Sequence, residues 1–401
     1  MKRMRIVTLI TAFVMILCFG VISLIGVKEE KKIPSIKVGF VYDGDESGPY
    51  TYNFMKAQKK IEGYDSGGKV TTVYKANISA EKGEQAISEL IEEGCNLIIT
   101  TSYGYQAAAK KYAKEYPQIQ FCQATGDNAN MDPLPNYHTF MGEIYQGRYV
   151  SGLVAGMKLK EMIGDGVISE SEARLGYVGA YPYAEVISGY TAFILGVRSI
   201  VPTATMEVRY TYTWTNYVLE KKCAEALIED GCVIISQHSD TYGPAVACEE
   251  AMSKGRVTYH VGYNQSMIDV APTTTLVSTR IDWSHYVLSA VNAMLADEPI
   301  EKRLAGNVRG NDAGAGFKQG WVQIVDMNEL IVPKGTKEMV MDVIEKLKKD
   351  QIKVFQGDYI GVDPLNPEDV IDLKNGYDEN KNASAPSFHY ILRDVIEVVD
   401  E

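Results

Sequence analysis

The chain has 401 residues and carries 52 acidic against 40 basic side chains, a net charge of −12. This acidic balance argues against a nucleic-acid partner, since phosphate binding needs a basic surface. Hydrophobic residues make up 46% of the chain and charged residues 23%, which excludes a disordered protein and is typical of a folded one.

The first 27 residues are predicted to be a signal or membrane-anchor segment. Three basic residues among the first five precede an apolar run at residues 6–27, and residues 28–32 are charged. A basic start followed by an apolar core is typical of a secretory leader. The run also reaches the roughly 20 residues that a membrane-spanning helix needs. We therefore expect the rest of the chain to lie at the extracytoplasmic face of the cell membrane.

A first α/β lobe is predicted over residues 36–157. Short β-branched and apolar segments alternate there with helical patterns. The predicted strands are residues 36–42, 70–74, 97–101 and 120–124, and the predicted helices are residues 84–93 and 106–116. Continuously apolar strands that alternate with helices indicate a parallel sheet covered on both faces.

A second lobe of the same kind is predicted over residues 174–272. The predicted strands are residues 175–180, 207–212, 233–236 and 258–262, and the predicted helices are residues 185–199, 219–229 and 245–253. Residues 91–102 and 228–239 share one order: the end of a helix, a glycine, an apolar strand and a hydroxyl-rich loop. Two such lobes that face each other form a cleft at the carboxyl ends of their strands.

Residues 273–401 are predicted to hold crossover segments and C-terminal elements that complete the lobes. Helices are expected at residues 283–295 and 336–349, and the glycine-rich residues 307–320 are expected to form a loop. In the final stretch, residues 375–387 are expected to be a polar loop that a short helix follows before the acidic end of the chain.

The sequence carries no HExxH, GxSxG, Walker A or GxGxxG motif, and its five histidines lack the spacing of metal ligands. We therefore predict a binding protein rather than an enzyme, without a cofactor or metal.

Aromatic and polar side chains follow the predicted strands at the points where these end. They are Asp45, Tyr50, Ser102 and Tyr103 in the first half, and Tyr181, Glu185, Trp214, Asp240 and Asn264 in the second. Aromatic walls with a few polar groups suit a flat ligand, because rings stack on its face while carboxylates and amides bind its edge. Asp240 directly follows a buried strand, where a carboxylate without a partner is costly. The alternative for Asp240 and Glu185 is a role at a helix N-terminus.

Four segments carry motifs specific to one family. They are residues 100–105 (TTSYGY), 142–156 (GEIYQGRYVSGLVAG), 176–187 (GYVGAYPYAEVI) and 237–240 (QHSD). They resemble the basic membrane protein family of bacterial ABC-transporter substrate-binding proteins, and the resemblance extends over about residues 37–357. It implies the type I periplasmic-binding-protein fold, in which two doubly wound parallel-sheet lobes enclose a ligand cleft. The likeness to a purine-binding branch further implies a purine base or nucleoside as ligand and an ABC permease as membrane partner.

Three positions depart from the family's pattern. Tyr50 stands where the purine-base branch usually has a tryptophan. Asn264 stands where many relatives have an aspartate that helps to hold ribose hydroxyls, which argues against a nucleoside. Leu17 precedes Cys18, the expected lipid site, where lipoprotein relatives have a small residue. An uncleaved anchor is therefore the first expectation for the N-terminus, and a cleaved, lipidated form is the second.

We expect a receptor that closes its two lobes around a purine-like ligand and delivers that ligand to the permease. In this reading Tyr50 and Tyr103 form one aromatic wall and Trp214 and Tyr181 the other, with Asp240 and Glu185 as edge acceptors. One alternative is a membrane-tethered sensor that signals without transport. Another is a nucleoside hydrolase that uses Asp43 and Asp45, and the sequence leaves both alternatives open.

Overall fold

The protein is described from a computed structural model that covers residues 35–62, 64 and 68–399. The predicted export segment and Cys18 lie outside the described residues. Among the residues that are described, none of the helices combines the length and the apolar character that crossing a bilayer requires.

The helices and strands alternate through most of the chain. The helices are α1 (Pro49–Glu62), α2 (Gly83–Glu92), α3 (Gln106–Glu115), α4 (Ile144–Gly164), α5 (Ala184–Arg198), α6 (Tyr217–Glu229), α7 (Gly243–Ser253), α8 (Ser284–Leu295) and α9 (Thr336–Lys348). The strands are β1 (Ser35–Val41), β2 (Lys69–Lys75), β3 (Leu97–Thr100), β4 (Gln120–Ala124), β5 (Tyr137–Gly142), β6 (Arg174–Gly179), β7 (Thr205–Tyr210), β8 (Ile234–His238), β9 (Tyr259–Tyr263), β10 (Thr275–Ile281), β11 (Asn307–Arg309), β12 (Asp312–Ala315), β13 (Val322–Val325), β14 (Ile360–Asp363), β15 (Asn366–Asp372), β16 (Ile391–Leu392) and β17 (Ile396–Val398).

Two seven-stranded sheets form the cores of the two lobes. The first has the order β11-β12-β5-β4-β3-β1-β2, and the second has the order β13-β10-β9-β8-β6-β7-β17. The central strands of both sheets are parallel. Within each sheet the first five strands in chain order take the arrangement 2-1-3-4-5, a doubly wound order whose switch point lies between its first and third strands. The predicted repeat of two α/β lobes is confirmed.

The two lobes repeat a local device that ends a helix and starts a strand. In the first lobe α2 buries Ala86, Ile87 and Leu90 and stops before Gly94, which has a φ of +81°. In the second lobe α6 stops before Gly231, which has a φ of +93°. Glycine adopts this left-handed conformation without the steric cost that a Cβ adds. Each turn feeds a fully buried strand, β3 or β8.

The chain crosses between the lobes three times. After β5 it enters α4, which packs on α5 and β10 of the second lobe. After β10 it returns to α8, which packs against α1, and after β12 it crosses again to β13. The predicted boundary at residue 157 therefore falls inside α4, a helix of the second lobe. The polar residues from Lys158 onward suggested a break, but Lys158 is buried and pairs with Glu161 at 2.6 Å.

Two expectations for the last part of the chain are wrong. Residues 307–320 are not a loop, because they hold β11 and β12, and the four small or short residues of β12 are all buried. A short final helix is also absent among residues 363–399. Residues 396–398 instead form β17, which pairs with β7 in parallel and turns Ile396 inward and Glu397 outward. A small sheet of order β15-β14-β16 precedes it.

Candidate ligand-binding site

A cavity lies between the two lobes. The first lobe contributes Asp43, Tyr50, Ser102, Tyr103 and Thr125, and the second contributes Glu185, Trp214, His238, Asp240 and Tyr263. Most of these residues lie at or just beyond the carboxyl ends of β1, β3, β4, β8 and β9. This edge of each sheet contains its switch point, which is the usual place for a ligand in such folds.

Six of the nine predicted site residues line this cavity, and three do not. Asp45 accepts hydrogen bonds from Ser47 and Asn77 in the turn after β1, and these bonds hold the pKa of its carboxyl below the usual range. Tyr181 stacks on Tyr183 with ring centroids 5.0 Å apart, outside the cavity. Asn264 lies behind Asp240 and donates to its Oδ1 from Nδ2 at 3.1 Å.

The acids at the cavity are held where their charge is costly. Asp240 is 7% exposed, and burial raises its pKa well above the usual range, with Asp43 and Glu220 adding like-charge repulsion. Desolvation also raises the pKa of Asp43, which accepts a hydrogen bond from Thr51 at 3.3 Å. Glu185 lies in the first turn of α5 and also lines the cavity, so its position is compatible with each of the two roles considered for it.

Glu220 of α6 organises the loop that presents Asp240. Its carboxylate accepts hydrogen bonds from the Ser239 hydroxyl at 2.8 Å and from the Thr241 amide at 3.0 Å. The Asp240 amide donates to the Trp214 carbonyl at 2.9 Å, which ties this loop to the loop after β7. The fully buried Glu220 carboxylate stabilises this loop, because without it these donors would be left unpaired, which would cost free energy.

Beneath the cavity lies a buried arginine on α4. Arg148 is fully buried, donates to the Gln237 carbonyl at 2.8 Å and places its guanidinium 3.7 Å from the centre of the Tyr263 ring. This contact is a cation–π interaction in a desolvated place. It supplies a positive charge below the carboxylates and fixes the ring that forms the cavity floor.

Aromatic rings surround the opening of the cavity. The Tyr181 and Tyr183 rings lie 5.6 and 6.4 Å from Trp214, and Tyr103 of the first lobe approaches Tyr183 at 6.5 Å. These rings line a wider outer cleft that shares Asp43, Ser102, Tyr103 and Trp214 with the cavity. Tyr181 therefore belongs to the approach to the site rather than to the site itself.

Direct hydrogen bonds join the lobes on another side. Asn53 of α1 donates from Nδ2 to the Asn264 carbonyl at 2.9 Å and accepts a hydrogen bond from Gln265. Lys56 of α1 also donates to the Gln265 side chain at 2.9 Å. Asn264 has a φ of +67°, a conformation that asparagine tolerates better than most residues. Asn264 therefore contacts both Asp240 and the first lobe.

The cavity does not bring together Asp43 and Asp45, the pair named for a hydrolase, because Asp43 lines it whereas the oxygens of Asp45 accept hydrogen bonds from Ser47 and Asn77. In the described part of the chain, Asp363, Asp369 and His389 have metal-type ligand atoms within 4.8 Å of one another. This group is partly exposed, its two aspartates lie on β14 and β15, and exposed acidic groups are common without an ion.

Comparison with known proteins identifies the family. Residues 35–356 match the family model of PnrA-like ABC transporter substrate-binding proteins. The chain belongs to this family. It is 28% identical over 324 residues to a purine-binding protein of Brucella abortus, covering 80% of this chain and 83% of that protein. It is 27% identical over 286 residues to a putative ABC transporter glucose-binding protein of Haloferax volcanii, covering 71% and 66%.

The fold is also similar to that of an ABC-system solute-binding protein of Aeropyrum pernix, with a TM-score of 0.64 at 15% identity, over 79% of this chain and 92% of that one. This likeness confirms the type I periplasmic-binding-protein fold. PnrA-like substrate-binding proteins are extracytoplasmic, bind small molecules and act with a permease.

Four residues of this substrate-binding protein's cavity were not among the nine residues predicted to bind the ligand: Asp43, Thr125, His238 and Tyr263. Each lies within two residues of the carboxyl end of a strand, so the rule that selected the other residues also applies to them. Thr125 has a φ of +59°, which no sequence pattern indicated. Arg148 lies in the middle of the first half of α4, and nothing in the sequence placed it under the cavity.

Proposed function

We propose that this protein is the receptor of an ABC import system and that it binds a purine base in the cavity between its lobes. The observation that carries this proposal is the combination of aromatic rings from both lobes with three carboxylates around one small cavity. Tyr50, Tyr103 and Trp214 offer ring faces for a flat heterocycle. The carboxylates Asp43, Glu185 and Asp240 accept hydrogen bonds from its N–H groups.

The electrostatics of the cavity support a neutral, donor-rich ligand. A purine base brings several N–H donors to buried carboxylates, and such charge-assisted hydrogen bonds are stronger than neutral ones. A nucleotide would bring phosphate charge to a site that already carries three acids, so nucleotides should be rejected. The similarity to a purine-binding protein points the same way.

A base fits the site better than a nucleoside does. Asn264 takes the place of the acid that binds ribose in nucleoside-binding relatives, and its side-chain amide is engaged with Asp240. We therefore rank adenine-like bases above their nucleosides.

Closure of the lobes about the three crossovers would enclose the ligand. The contacts of Asn53 and Lys56 with the loop after β9 exist only while the lobes face each other. A ligand that contacts both walls binds the closed form better and shifts the population toward it. The permease would then receive the closed, loaded form.

Binding assays on the full-length protein test this function. Calorimetry and thermal shift with adenine, hypoxanthine, guanine, adenosine and glucose should show that bases bind best. Mass spectrometry should find the same class of molecule co-purifying with the protein. Asp240→Asn should weaken binding, whereas Asp45→Asn, an aspartate outside the cavity, should not. The proposal fails if neither bases nor nucleosides change the melting temperature, and a response to glucose alone would make the protein a sugar receptor.

We also propose that residues 1–27 remain as a membrane anchor. Leu17 before Cys18 is a poor lipoprotein signal, and the apolar run is long enough to span a bilayer. Protein extracted from membranes should therefore retain residues 1–27 and take up no lipid precursor. Lipid labelling that disappears in Cys18→Ala would establish the cleaved, lipidated form instead. The sensor alternative stays a prediction, and a permease and ATPase encoded beside this protein would argue against it.

A further inference from the structure

A buried histidine at the cavity wall has no hydrogen-bond partner among the residues that the structure describes. His238 is the last residue of β8, is 1% exposed and lines the cavity. Neither Nδ1 nor Nε2 forms a hydrogen bond with a described residue, although Glu185 Oε1 lies 3.6 Å from Nε2. Buried polar side-chain atoms are nearly always paired. The missing partner is therefore sought in a molecule that fills the cavity.

The surroundings of the ring decide which nitrogen faces the cavity. Nδ1 lies against α5, since a Cβ at Gly189 would approach it to 2.6 Å. Nε2 lies 3.6 Å from Glu185 Oε1, just beyond a hydrogen bond, and Glu185 lines the same cavity. The ring packs edge-on against Tyr263 with centroids 4.8 Å apart, which holds its orientation.

The charge state of the ring follows from the same neighbours. Burial, together with the Arg148 guanidinium, lowers the pKa of His238 to about 4, so the ring is neutral near pH 7. A neutral imidazole carries one N–H donor and one bare nitrogen. The Glu185 carboxylate beside Nε2 favours the tautomer in which Nε2 carries the hydrogen. Nε2–H and the carboxylate thus stand side by side as a donor and an acceptor.

We propose that His238 donates its Nε2–H to a ring nitrogen of the bound heterocycle while Glu185 accepts from an amino group next to that nitrogen. This inference rests on the proposed function and assigns the ligand to purines that carry an amino group beside an acceptor ring nitrogen. Adenine carries such a pair, an amino donor beside the acceptor nitrogens N1 and N7. Hypoxanthine carries an oxygen acceptor at the same position, which would face the Glu185 carboxylate. The selectivity would come from this mismatch, because an unpaired buried acceptor is costly.

The proposed hydrogen bond is tested on the full-length protein by measuring the affinity of each His238 variant for each of several ligand analogues. The ligands are adenine, 1-deazaadenine, 7-deazaadenine and hypoxanthine, and the variants are His238→Asn, His238→Leu and His238→Gln. The wild type should bind adenine at least about tenfold more tightly than hypoxanthine. Its affinity for one of the two deaza analogues should be about ten- to a hundredfold lower than its affinity for adenine. His238→Asn and His238→Leu should weaken adenine to the level of that analogue and leave the analogue itself unchanged. His238→Gln places an amide near the position of Nε2 and should retain most of the affinity.

The outcomes separate a ligand contact from a packing role. If the Asn and Leu variants weaken adenine and both deaza analogues by the same factor, His238 only supports Tyr263 and the inference is overturned. A wild type that binds hypoxanthine as tightly as adenine overturns it as well. If the wild type binds no purine, the proposed function fails and this inference falls with it. Unliganded melting temperatures of the variants check that each one folds, and the Asn variant keeps the test open if the Leu variant does not.

Discussion

Gly152 lies where α4 crosses α5, and its replacement by alanine should destabilise the second lobe. A Cβ there would lie 2.1 Å from the Phe193 carbonyl oxygen and 3.2 Å from Gly196 Cα. Both obstacles are backbone atoms of α5, so no change of side-chain rotamer relieves the clash and the two helices must separate. Forcing an extra methyl group into a packed interior costs about 1–3 kcal/mol, and a backbone obstacle places Gly152→Ala at the upper end, about 3 kcal/mol.

Urea unfolding followed by far-UV circular dichroism measures this loss. Gly164→Ala is the matched control, because Gly164 ends the same helix and a Cβ there meets nothing within 4 Å. Alanine restricts the unfolded chain, so this variant should gain about 0.5–1 kcal/mol. Since α4 also carries Arg148 under the cavity, Gly152→Ala should bind ligand more weakly. Equal unfolding midpoints for Gly152→Ala and the wild type would refute the assignment of this close crossing.

Three further predictions concern the site. Asp240→Asn should stabilise the unliganded protein near pH 7, because the raised pKa of Asp240 makes the stability of the wild type fall as the pH rises above the usual aspartate range. The gain in stability should vanish as the pH is lowered toward that range. A stability difference that does not change with pH would contradict the reasoning. Asn53→Ala should weaken ligand binding about tenfold, because it removes hydrogen bonds between the lobes. Stopped flow should show that this loss comes chiefly from faster dissociation. Gln85→Ala, which removes a hydrogen bond within α2, should leave the association and dissociation rates unchanged. Trp214→Ala should weaken binding about tenfold or more in calorimetry, whereas Tyr181→Ala should change the affinity by less than about threefold, since of these two residues only Trp214 lines the cavity. A larger loss of affinity for Tyr181→Ala than for Trp214→Ala would show that the ligand binds in the outer cleft instead.

The alternation of strands and helices was predictable from the sequence because the strands are buried on both faces. β3 (Leu97–Thr100) is fully buried and begins with three apolar residues, and the helices α2 and α6 end at glycines with positive φ, Gly94 and Gly231. β12 escaped prediction for the opposite reason. Its residues Asp312–Ala315 are short side chains that fill a narrow space against Ser384, so burial there leaves no apolar signature. Such a strand forms because it pairs with a strand that is distant in the sequence, here β5.

The candidate site was predictable only as far as strand ends reveal it. Asp240 lies just after β8 and Glu185 lies in the helix that follows β6, and the doubly wound order brings the ends of these two strands together. The groups that set their energetics come from elsewhere. Arg148 reaches the cavity floor from a helix of the interlobe crossover, and Asn53 reaches the second lobe from α1. Those contacts depend on how the lobes face each other, which local patterns do not encode.

The charges around the cavity explain how ligand capture and lobe closure can depend on each other. Asp240 is buried among other acids with one amide donor, Asn264, and its charged form is therefore unfavourable without a ligand. A ligand N–H that pairs with Asp240 offsets this cost and favours the closed arrangement in which it is buried. Asn264 also accepts the hydrogen bond from Asn53 of the other lobe. One residue thus contacts both the acid proposed to bind the ligand and the interface between the lobes, so an arrangement that satisfies one contact also supports the other.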